Sequence, residues 1–183
     1  MKNSTYKINK YPQYTIEYYN DILDITDPEL VSFIQDSFIN CYEINDVDIK
    51  EEDYDYKKYI KDIDILLIRE DSKYLCFGLV PYVPSCNGMN LSFYMPKSTN
   101  PLLFESLAKA GLYFSMYLRQ DDDFSNQYLY FDISSYKVYK WCKELIPSLK
   151  VSKVRQHYMI CHSPISKKYI ENIILKDCEI TLC

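Results

Sequence analysis

A run of small polar residues directly before a proline is the part of this chain best suited to holding an anion. The run consists of Lys97, Ser98, Thr99 and Asn100, and an apolar face at helical spacing follows Pro101. Ser98, Thr99 or Asn100 can cap a helix that begins at the proline. The start of a helix carries unpaired amides and a partial positive charge, and Lys97 adds a point charge beside it. Residues 97–100 are therefore predicted to bind an anionic group such as a pyrophosphate. An ordinary capped core helix is the alternative interpretation.

Side chains that transfer protons lie elsewhere in the chain. Asp132 stands near the end of a segment typical of a central strand, where a carboxylate can act as a general base. The same carboxylate can instead cap the next helix or anchor a turn. Glu43 and Asp46 are further carboxylates, in an acidic stretch. His157 and His162 are the only histidines. Their spacing of five on a strand puts them on opposite faces, which argues against a shared metal site.

Several catalytic motifs do not occur in the sequence. There is no P-loop, GxGxxG, GxSxG or HExxH, so nucleotide hydrolysis, Rossmann-type dehydrogenation, serine hydrolysis and zincin proteolysis lack their usual residues. The 7 cysteines form no CxxC pair and stand mostly among apolar neighbours. Reduced thiols that fill the core are therefore favoured over disulfides or zinc ligands. A nucleophilic pair of Cys142 with His157 is disfavoured against packing of Cys142 on an apolar helix face.

The net charge of the chain limits which classes of partner it is expected to bind. A net charge of −5 and a pI near 5.1 oppose sequence-independent binding to nucleic acid, which depends on neutralising phosphates. An amine-bearing small molecule or a basic peptide or protein suits this balance better. No apolar run approaches the roughly 20 residues that span a bilayer, and the polar start lacks a signal segment, so a soluble cytoplasmic protein without a membrane partner is expected. The ratio of 20 Tyr to 3 Gly resembles the bias of an AT-rich genome, such as that of a giant virus or a protist.

The order of predicted elements places these residues in one α/β domain. A 48% hydrophobic fraction in 183 residues is ample for a single core. Apolar or alternating segments predict strands, and apolar residues at helical spacing behind capping residues predict helices. The predicted strands cover residues 13–19, 63–69, 74–83, 90–95 and 127–133, with another around 150–162 that includes 156–161. The predicted helices cover residues 27–40, 101–118, 134–147 and 165–175.

Three segments fit this plan less closely. Residues 1–12 are expected to be a loosely ordered lead-in, so that the domain proper covers residues 13–183. Residues 43–64 are the most charged stretch and contain either an amphipathic helix around residues 50–61 or a mobile acidic loop. Their charges are either a solvated face or a wall that attracts a cation. From about residue 163 a short helix and an edge strand over residues 178–182 are expected as an extension, which is a decoration or an element of a homodimer.

The stretch from Asp62 to Pro147 resembles the acyl-CoA-binding core of the GCN5-related N-acetyltransferase (GNAT) superfamily. It contains a strand, a turn at residues 70–73, two more strands, a helix opened by Asn100-Pro101, a buried strand and a second helix. The resemblance implies a mixed, mostly antiparallel twisted sheet flanked by helices. At the start of the first helix the family carries a Gln/Arg-x-x-Gly-x-Gly/Ala signature, and this chain has no glycine there. The chain thus resembles a divergent member with a degenerate pyrophosphate motif.

The resemblance also implies a reaction. Family members insert acetyl-CoA between two splayed strands, and a tyrosine on the following helix often protonates the departing thiolate. Tyr139 is the matching candidate, with Tyr136 second, because a phenol is a weak acid suited to that donation. Asp132 is the candidate base, and residues 97–100 are the candidate acetyl-CoA site. The implied function is transfer of an acetyl group to an amine by direct attack. The alternative is a catalytically inactive GNAT-like interaction protein that uses an acidic, tyrosine-rich surface.

Overall fold

The computed structural model of the chain describes residues 4–20, 25–39, 64–80, 82–83, 88–94, 100–118, 120, 128–133, 136–154, 159–164 and 166–183. Within these residues the chain forms ten strands and four helices. The strands are β1 (Ser4–Ile8), β2 (Thr15–Tyr19), β3 (Asp64–Glu70), β4 (Lys73–Val80), β5 (Tyr82–Val83), β6 (Gly88–Tyr94), β7 (Tyr128–Ile133), β8 (Lys150–Val154), β9 (Met159–Pro164) and β10 (Ile180–Leu182). The helices are α1 (Pro28–Ile39), α2 (Pro101–Tyr117), α3 (Tyr136–Leu145) and α4 (Lys167–Asp177).

These strands form one mixed sheet. Its order is β10-β1-β2-β3-β4-β6-β7-β9-β8, and β5 pairs with β6 outside this path. The pairing of β6 with β7 is parallel, and the other pairings in the described part of the chain are antiparallel. The predicted mixed, mostly antiparallel sheet flanked by helices is thus confirmed.

Helices cover both faces of the sheet. On β3, Ile65 and Leu67 belong to one buried cluster and Leu66 and Ile68 to another, because successive side chains of a strand alternate between faces. Helix α1 covers the first face, with Leu30 and Ile34 fully buried there. Helices α2, α3 and α4 cover the second face with Leu107, Phe114, Cys142, Ile170 and Ile174. This double coverage explains why β3 is a continuous apolar run rather than an alternating one.

Capping side chains fix the starts of the helices. The Asp27 carboxylate accepts a 3.0 Å hydrogen bond from the Glu29 amide, and Pro28 is the first residue of α1. The hydroxyl of Ser166 accepts a 3.2 Å bond from the Tyr169 amide at the start of α4. No helix in the described part of the chain is long and apolar enough to cross a membrane.

The first residues of the chain differ from the loosely ordered lead-in predicted over residues 1–12. Ser4–Ile8 form β1, which lies between β2 and β10 in the sheet. The Asn9 amide donates to the Glu179 carbonyl at 2.8 Å, and the Cys183 amide donates to the Thr5 carbonyl at 2.8 Å. The predicted edge strand near the end of the chain is confirmed as β10. It supplies backbone partners for β1, and this long-range pairing orders the lead-in.

The prediction of one strand around residues 150–162 was wrong in its extent, because two strands occupy this region. β8 and β9 pair antiparallel, with Lys150 opposite His162 and Val154 opposite Met159. A single extended segment over these positions would be about 40 Å long at ~3.3 Å per residue, longer than most strands of globular proteins. Folding it into a hairpin lets its two halves satisfy each other's backbone groups.

Candidate functional site

Two parallel strands of the sheet separate at their carboxyl ends. β6 and β7 pair in parallel up to Leu91 opposite Phe131. Beyond this pair β6 continues to Tyr94 beside β4, and β7 continues to Ile133 beside β9. Neighbouring strands that stop pairing leave backbone donors and acceptors along a gap. We call this space, between Ser92–Tyr94 of β6 and Asp132–Ile133 of β7, the strand gap.

Two helices begin at the edge of the sheet where the strand gap lies. Helix α2 starts at Pro101, after β6, and α3 starts at Tyr136, after β7. Parallel strands present their carboxyl ends at the same edge, so both helix N-termini face that edge. Each helix start carries a partial positive charge. The arrangement suits an extended ligand with an anionic end.

The start of α2 is occupied partly by its own cap. The Asn100 side-chain oxygen accepts a 2.9 Å hydrogen bond from the Leu102 amide, and Pro101 has no amide hydrogen to offer. The first amides of a helix have no partner within the helix. At the start of α2, neither the Asn100 cap nor the missing hydrogen of Pro101 concerns the amides of Asn100 and Leu103. Asn100 is therefore the cap among the three candidates, Ser98, Thr99 and Asn100, that the sequence offers. Lys97, Ser98 and Thr99 lie outside the described residues.

A turn between β1 and β2 anchors α2 along its length. The Tyr14 hydroxyl lies 2.7 Å from the Ser106 hydroxyl, and the Lys10 ammonium donates to the Tyr113 hydroxyl at 3.1 Å. Tyr14 is 2% exposed and Tyr113 is 5% exposed, so each contact has a buried ring on one side. Sequence patterns did not single out these residues, because about 90 to 100 positions separate the partners. Patterns of local spacing do not reveal contacts between residues so far apart in the chain.

The tyrosine proposed from the resemblance as a proton donor lies on α3. Tyr139 is half-buried against the main core cluster, and its ring stacks on that of Tyr136 with 5.9 Å between centroids. Tyr136 is 64% exposed, and the Lys140 ammonium lies 5.0 Å from its ring centroid. Packing restricts the ring of Tyr139 more than that of Tyr136, so Tyr139 is the better placed of the two to act in a fixed geometry.

The end of α3 is held by a residue that sequence patterns did not single out. The Tyr169 hydroxyl on α4 donates a 2.6 Å hydrogen bond to the Leu145 carbonyl oxygen. The Lys143 ammonium donates to the carbonyl oxygens of Pro147 and Leu149, each at 2.6 Å. These bonds satisfy carbonyl groups at and just after the helix end, where the intrahelical pattern stops. They fix the orientation of the helix that carries Tyr139.

The candidate base lies in the sheet. Asp132 belongs to β7, where its backbone is opposite Ile160 of β9, one position beyond the last β6–β7 pair. Helix α3 begins four residues later, at Tyr136. The structure thus places Asp132 on a strand beside the strand gap and Tyr139 on the helix that follows the same strand.

Comparison with known proteins gives no match to a family model and no match among curated protein sequences. Solved structures do match. An uncharacterised protein from Bacillus halodurans has a TM-score of 0.62 at 9% identity, covering 93% of each chain. The ribosomal-protein-S18-alanine N-acetyltransferase of Escherichia coli has a TM-score of 0.54 at 10% identity, covering 84% of this chain and 94% of that one. The chain has the GCN5-related N-acetyltransferase fold.

A further structure with the GNAT fold contains the acyl donor. It is a putative acetyltransferase from Salmonella typhimurium with its cofactor acetyl-CoA, with a TM-score of 0.53 at 10% identity, covering 85% of this chain and 94% of that one. In our chain the walls of the strand gap are backbone groups without strand partners across the gap. At the start of α2, Pro101 has no amide hydrogen and the Asn100 side chain already accepts from the Leu102 amide.

A second polar cluster lies on the opposite face of the GNAT sheet, under α1. Glu17 forms an ion pair with Arg69 at 2.7 Å, and the Tyr19 hydroxyl donates to Glu17 at 3.1 Å. Burial, together with the Glu17 carboxylate, raises the pKa of Tyr19 and of Tyr74 above the ordinary value for tyrosine. Because these groups pair with one another, we assign the cluster a structural role.

The acidic stretch of residues 43–64 lies outside the described residues except for Asp64. The Tyr18 hydroxyl donates a short hydrogen bond to the Asp64 carboxylate at the start of β3. That carboxylate is therefore engaged with the sheet of the GNAT fold. Glu43 and Asp46 belong to the part of the stretch that is not described.

The described cysteines are free thiols, and four of the five are buried. Burial, with a smaller contribution from neighbouring Cys161, raises the pKa of Cys142 to about 12. A thiol with so high a pKa is protonated at neutral pH and is a poor nucleophile. Cys142 thus packs in the core of the GNAT fold, as the sequence favours, while His157 lies outside the described residues. Within those residues no group of three or more His, Cys, Asp or Glu side chains is placed to hold a metal ion.

Proposed function

We propose that this chain is an acyltransferase that moves an acetyl group from acetyl-CoA to an amine. The observation that carries the proposal is the strand gap, where the β6–β7 pairing ends at Leu91 and Phe131 while both strands continue. Two helix N-termini at the same edge favour an anionic ligand. The solved acetyltransferases with this fold support the same class of reaction.

In this proposal Asp132 and Tyr139 move the protons of a direct transfer. Acetyl-CoA supplies the acetyl group as a thioester. Asp132 accepts a proton from the amine, whose nitrogen forms a bond to the carbonyl carbon while the carbon–sulfur bond breaks. Tyr139 gives its proton to the departing sulfur and regains one from solvent. The two residues suit a common site because β7 carries one and the helix that follows β7 carries the other.

The phosphates of the acyl donor are assigned to the start of α2. The amide of Leu103 and the backbone of Asn100 would contribute hydrogen bonds, with Ser98, Thr99 and the charge of Lys97 beside them. The acceptor is proposed to be an amine-bearing small molecule or a basic peptide. The net charge of −5 supports this choice, since an acidic protein attracts cations by electrostatic steering.

Thermal unfolding with and without acetyl-CoA tests whether the donor binds. A ligand that binds only the folded state, at about 100 times its Kd, stabilises that state by about 2.7 kcal/mol. For a domain of this size, that corresponds to a rise of roughly 5–10 °C in melting temperature. The same measurement with pantetheine, which lacks the phosphates, separates binding at the strand gap from binding at α2. An unchanged melting temperature at millimolar acetyl-CoA would contradict the proposal.

Thiol release in the presence of a panel of amines tests the chemistry. Tyr139→Phe should lower the turnover rate by about 100-fold or more, the usual size of a general-acid contribution, and leave the Kd for acetyl-CoA unchanged. Tyr136→Phe is the matched control one helical turn away. An unchanged rate for Tyr139→Phe would remove this tyrosine from the mechanism.

A second candidate function is a GNAT-like interaction protein without catalytic activity. The observation that favours it is the start of α2, where the Asn100 side chain takes the Leu102 amide and Pro101 offers none. Such a protein would bind a partner through its acidic, tyrosine-rich surface, a use of the fold that a viral protein can adopt. Under this alternative acetyl-CoA leaves the melting temperature unchanged, and capture of a basic partner depends on residues 43–64.

A further inference from the structure

We propose that the outer edge of β8 binds an acidic, extended peptide segment of another protein as an additional strand. This surface lies at the end of the sheet and takes no part in the acyl transfer proposed above. Its occupant is inferred from the exposure, the side chains and the charge of the strand.

β8 is an edge strand with both faces open. It stands last in the strand order and, within the described residues, pairs with β9 alone. All five of its residues, Lys150 to Val154, are exposed. Because successive side chains of a strand point to opposite faces, five exposed residues in a row mean that neither face is covered. An edge of this kind presents backbone amides and carbonyls with which another strand can pair.

The side chains of β8 combine apolar and basic groups. Val154 is 70% exposed and Val151 is 39% exposed, and the lysines at positions 150 and 153 lie beside them. The exposed valines offer apolar area to an added strand, while the two lysines favour carboxylates on it. Opposite charges on adjacent strands contribute roughly 0.2–1 kcal/mol for each pair.

The surroundings of β8 extend its positive charge. Lys150 and Lys153 are exposed on the strand itself, although the whole chain has a net charge of −5. Lys167 and Lys168 are exposed at the start of α4. That start lies next to the beginning of β8, because β9 leads into α4 and the Ser148 and Ser163 hydroxyls lie 2.5 Å apart. The edge therefore carries a local positive field that selects an acidic partner.

The same features disfavour a second copy of this chain at the edge. Pairing β8 with itself would bring the lysines of two copies together, and like charges on adjacent strands are destabilising. Lysines are one of the devices by which sheet edges resist self-pairing. The lysines of β8 attract the carboxylates of an acidic segment, and they repel the lysines of a second copy.

Two capped six-residue peptides, one of alternating Glu and Val and one of alternating Lys and Val, test the proposal on the full chain. We expect the acidic peptide to bind, with affinity that falls as salt is added, and to slow amide exchange at residues 150–154. We expect the basic peptide to bind at least tenfold more weakly. Equal affinity for both peptides, or no slowing of exchange in β8 at millimolar acidic peptide, would overturn the proposal.

Charge-reversal variants locate the binding surface. Lys150→Glu combined with Lys153→Glu should weaken binding of the acidic peptide at least tenfold. Lys176→Glu is the matched control, an exposed lysine in the last turn of α4. The milder pair Lys150→Gln and Lys153→Gln serves if charge reversal lowers the melting temperature. Equal weakening by Lys176→Glu would overturn the assignment to β8. So would a dimer of the chain that protects residues 150–154 without peptide.

Discussion

The side-chain oxygen of Asn100 lies 2.9 Å from the amide nitrogen of Leu102 and caps the start of α2. Under the proposed function, helix stability and acetyl-CoA binding compete for the Leu102 amide. A cap stabilises the helix, whereas a phosphate at this position needs the amide free. Family members with the glycine-containing signature avoid this competition because glycine has no side chain with which to cap.

Asn100→Gly should strengthen acetyl-CoA binding. Removing the side chain frees the Leu102 amide, and one additional hydrogen bond is worth about 0.5–1.5 kcal/mol, or roughly a twofold to twelvefold lower Kd by calorimetric titration. Glycine at a capping position costs only a few tenths of a kcal/mol of stability. Ser166→Gly, the same kind of change at the cap of α4, is the control and should leave the Kd unchanged. An unaltered Kd in Asn100→Gly would show that the Leu102 amide takes no part in binding acetyl-CoA.

Tyr169→Phe should destabilise the fold through the end of α3. The variant keeps the ring and loses the 2.6 Å hydrogen bond to the Leu145 carbonyl. We expect a loss of about 1 kcal/mol in the free energy of unfolding, or roughly 2–4 °C in melting temperature. Tyr136→Phe removes a hydroxyl from a side chain that is 64% exposed and should change stability by less than about 0.5 kcal/mol. Equal melting temperatures for the two variants would show that the Tyr169 bond contributes nothing.

Tyr11 should contribute to loss of stability at alkaline pH. Burial, and next the nearby Tyr113, raises its pKa from 10.0 to about 12. Between these values the unfolded chain loses the phenolic proton and the folded chain keeps it, so the free energy of unfolding falls as pH rises. The contribution of Tyr11 to the free energy of unfolding is fully present below pH 10, and it is lost as the pH rises through about 12. Chemical unfolding at several pH values should show a shallower decline for Tyr11→Phe than for the unmodified chain. Parallel declines would contradict this assignment.

Cysteine alkylation should distinguish Cys142 from Cys183. Cys142 is 6% exposed with a pKa of about 12, whereas Cys183 is exposed at the end of the chain. Iodoacetamide at neutral pH should modify Cys183 in the folded protein and reach Cys142 only after unfolding, because the thiolate is the reactive form. Peptide mass spectrometry measures both sites in one sample. Early modification of Cys142 would revive it as a candidate nucleophile.

Local signals in the sequence predicted the helix starts well. Asp27 and Asn100 cap the helices that follow them, and Pro28 and Pro101 stand at the first helical positions. Capping chemistry is decided within a few residues, so it can be read from a short window. The central strands were predicted for the same reason, since their apolar runs are local.

Local sequence patterns did not predict the pairing of strands that lie far apart in the chain. β1 pairs with β2 on one side and with β10, about 170 positions later, on the other. Two paired strands, Lys150–Val154 and Met159–Pro164, stand where one strand was predicted. The strand gap is a further case, because it arises where β6 turns to β4 and β7 turns to β9. Resemblance to a family, rather than spacing, predicted that such a gap would occur and assigned Tyr139 its place beside it.

The decisive experiment is amide hydrogen exchange of the full chain with and without millimolar acetyl-CoA. The acyltransferase proposal predicts slower exchange in Ser92–Tyr94 of β6, in Asp132–Ile133 of β7 and at Leu103 of α2, where the strand gap and the helix start meet the ligand. Slower exchange at a remote segment, or unchanged exchange at all of these amides, would contradict the claim that the strand gap binds acyl-CoA.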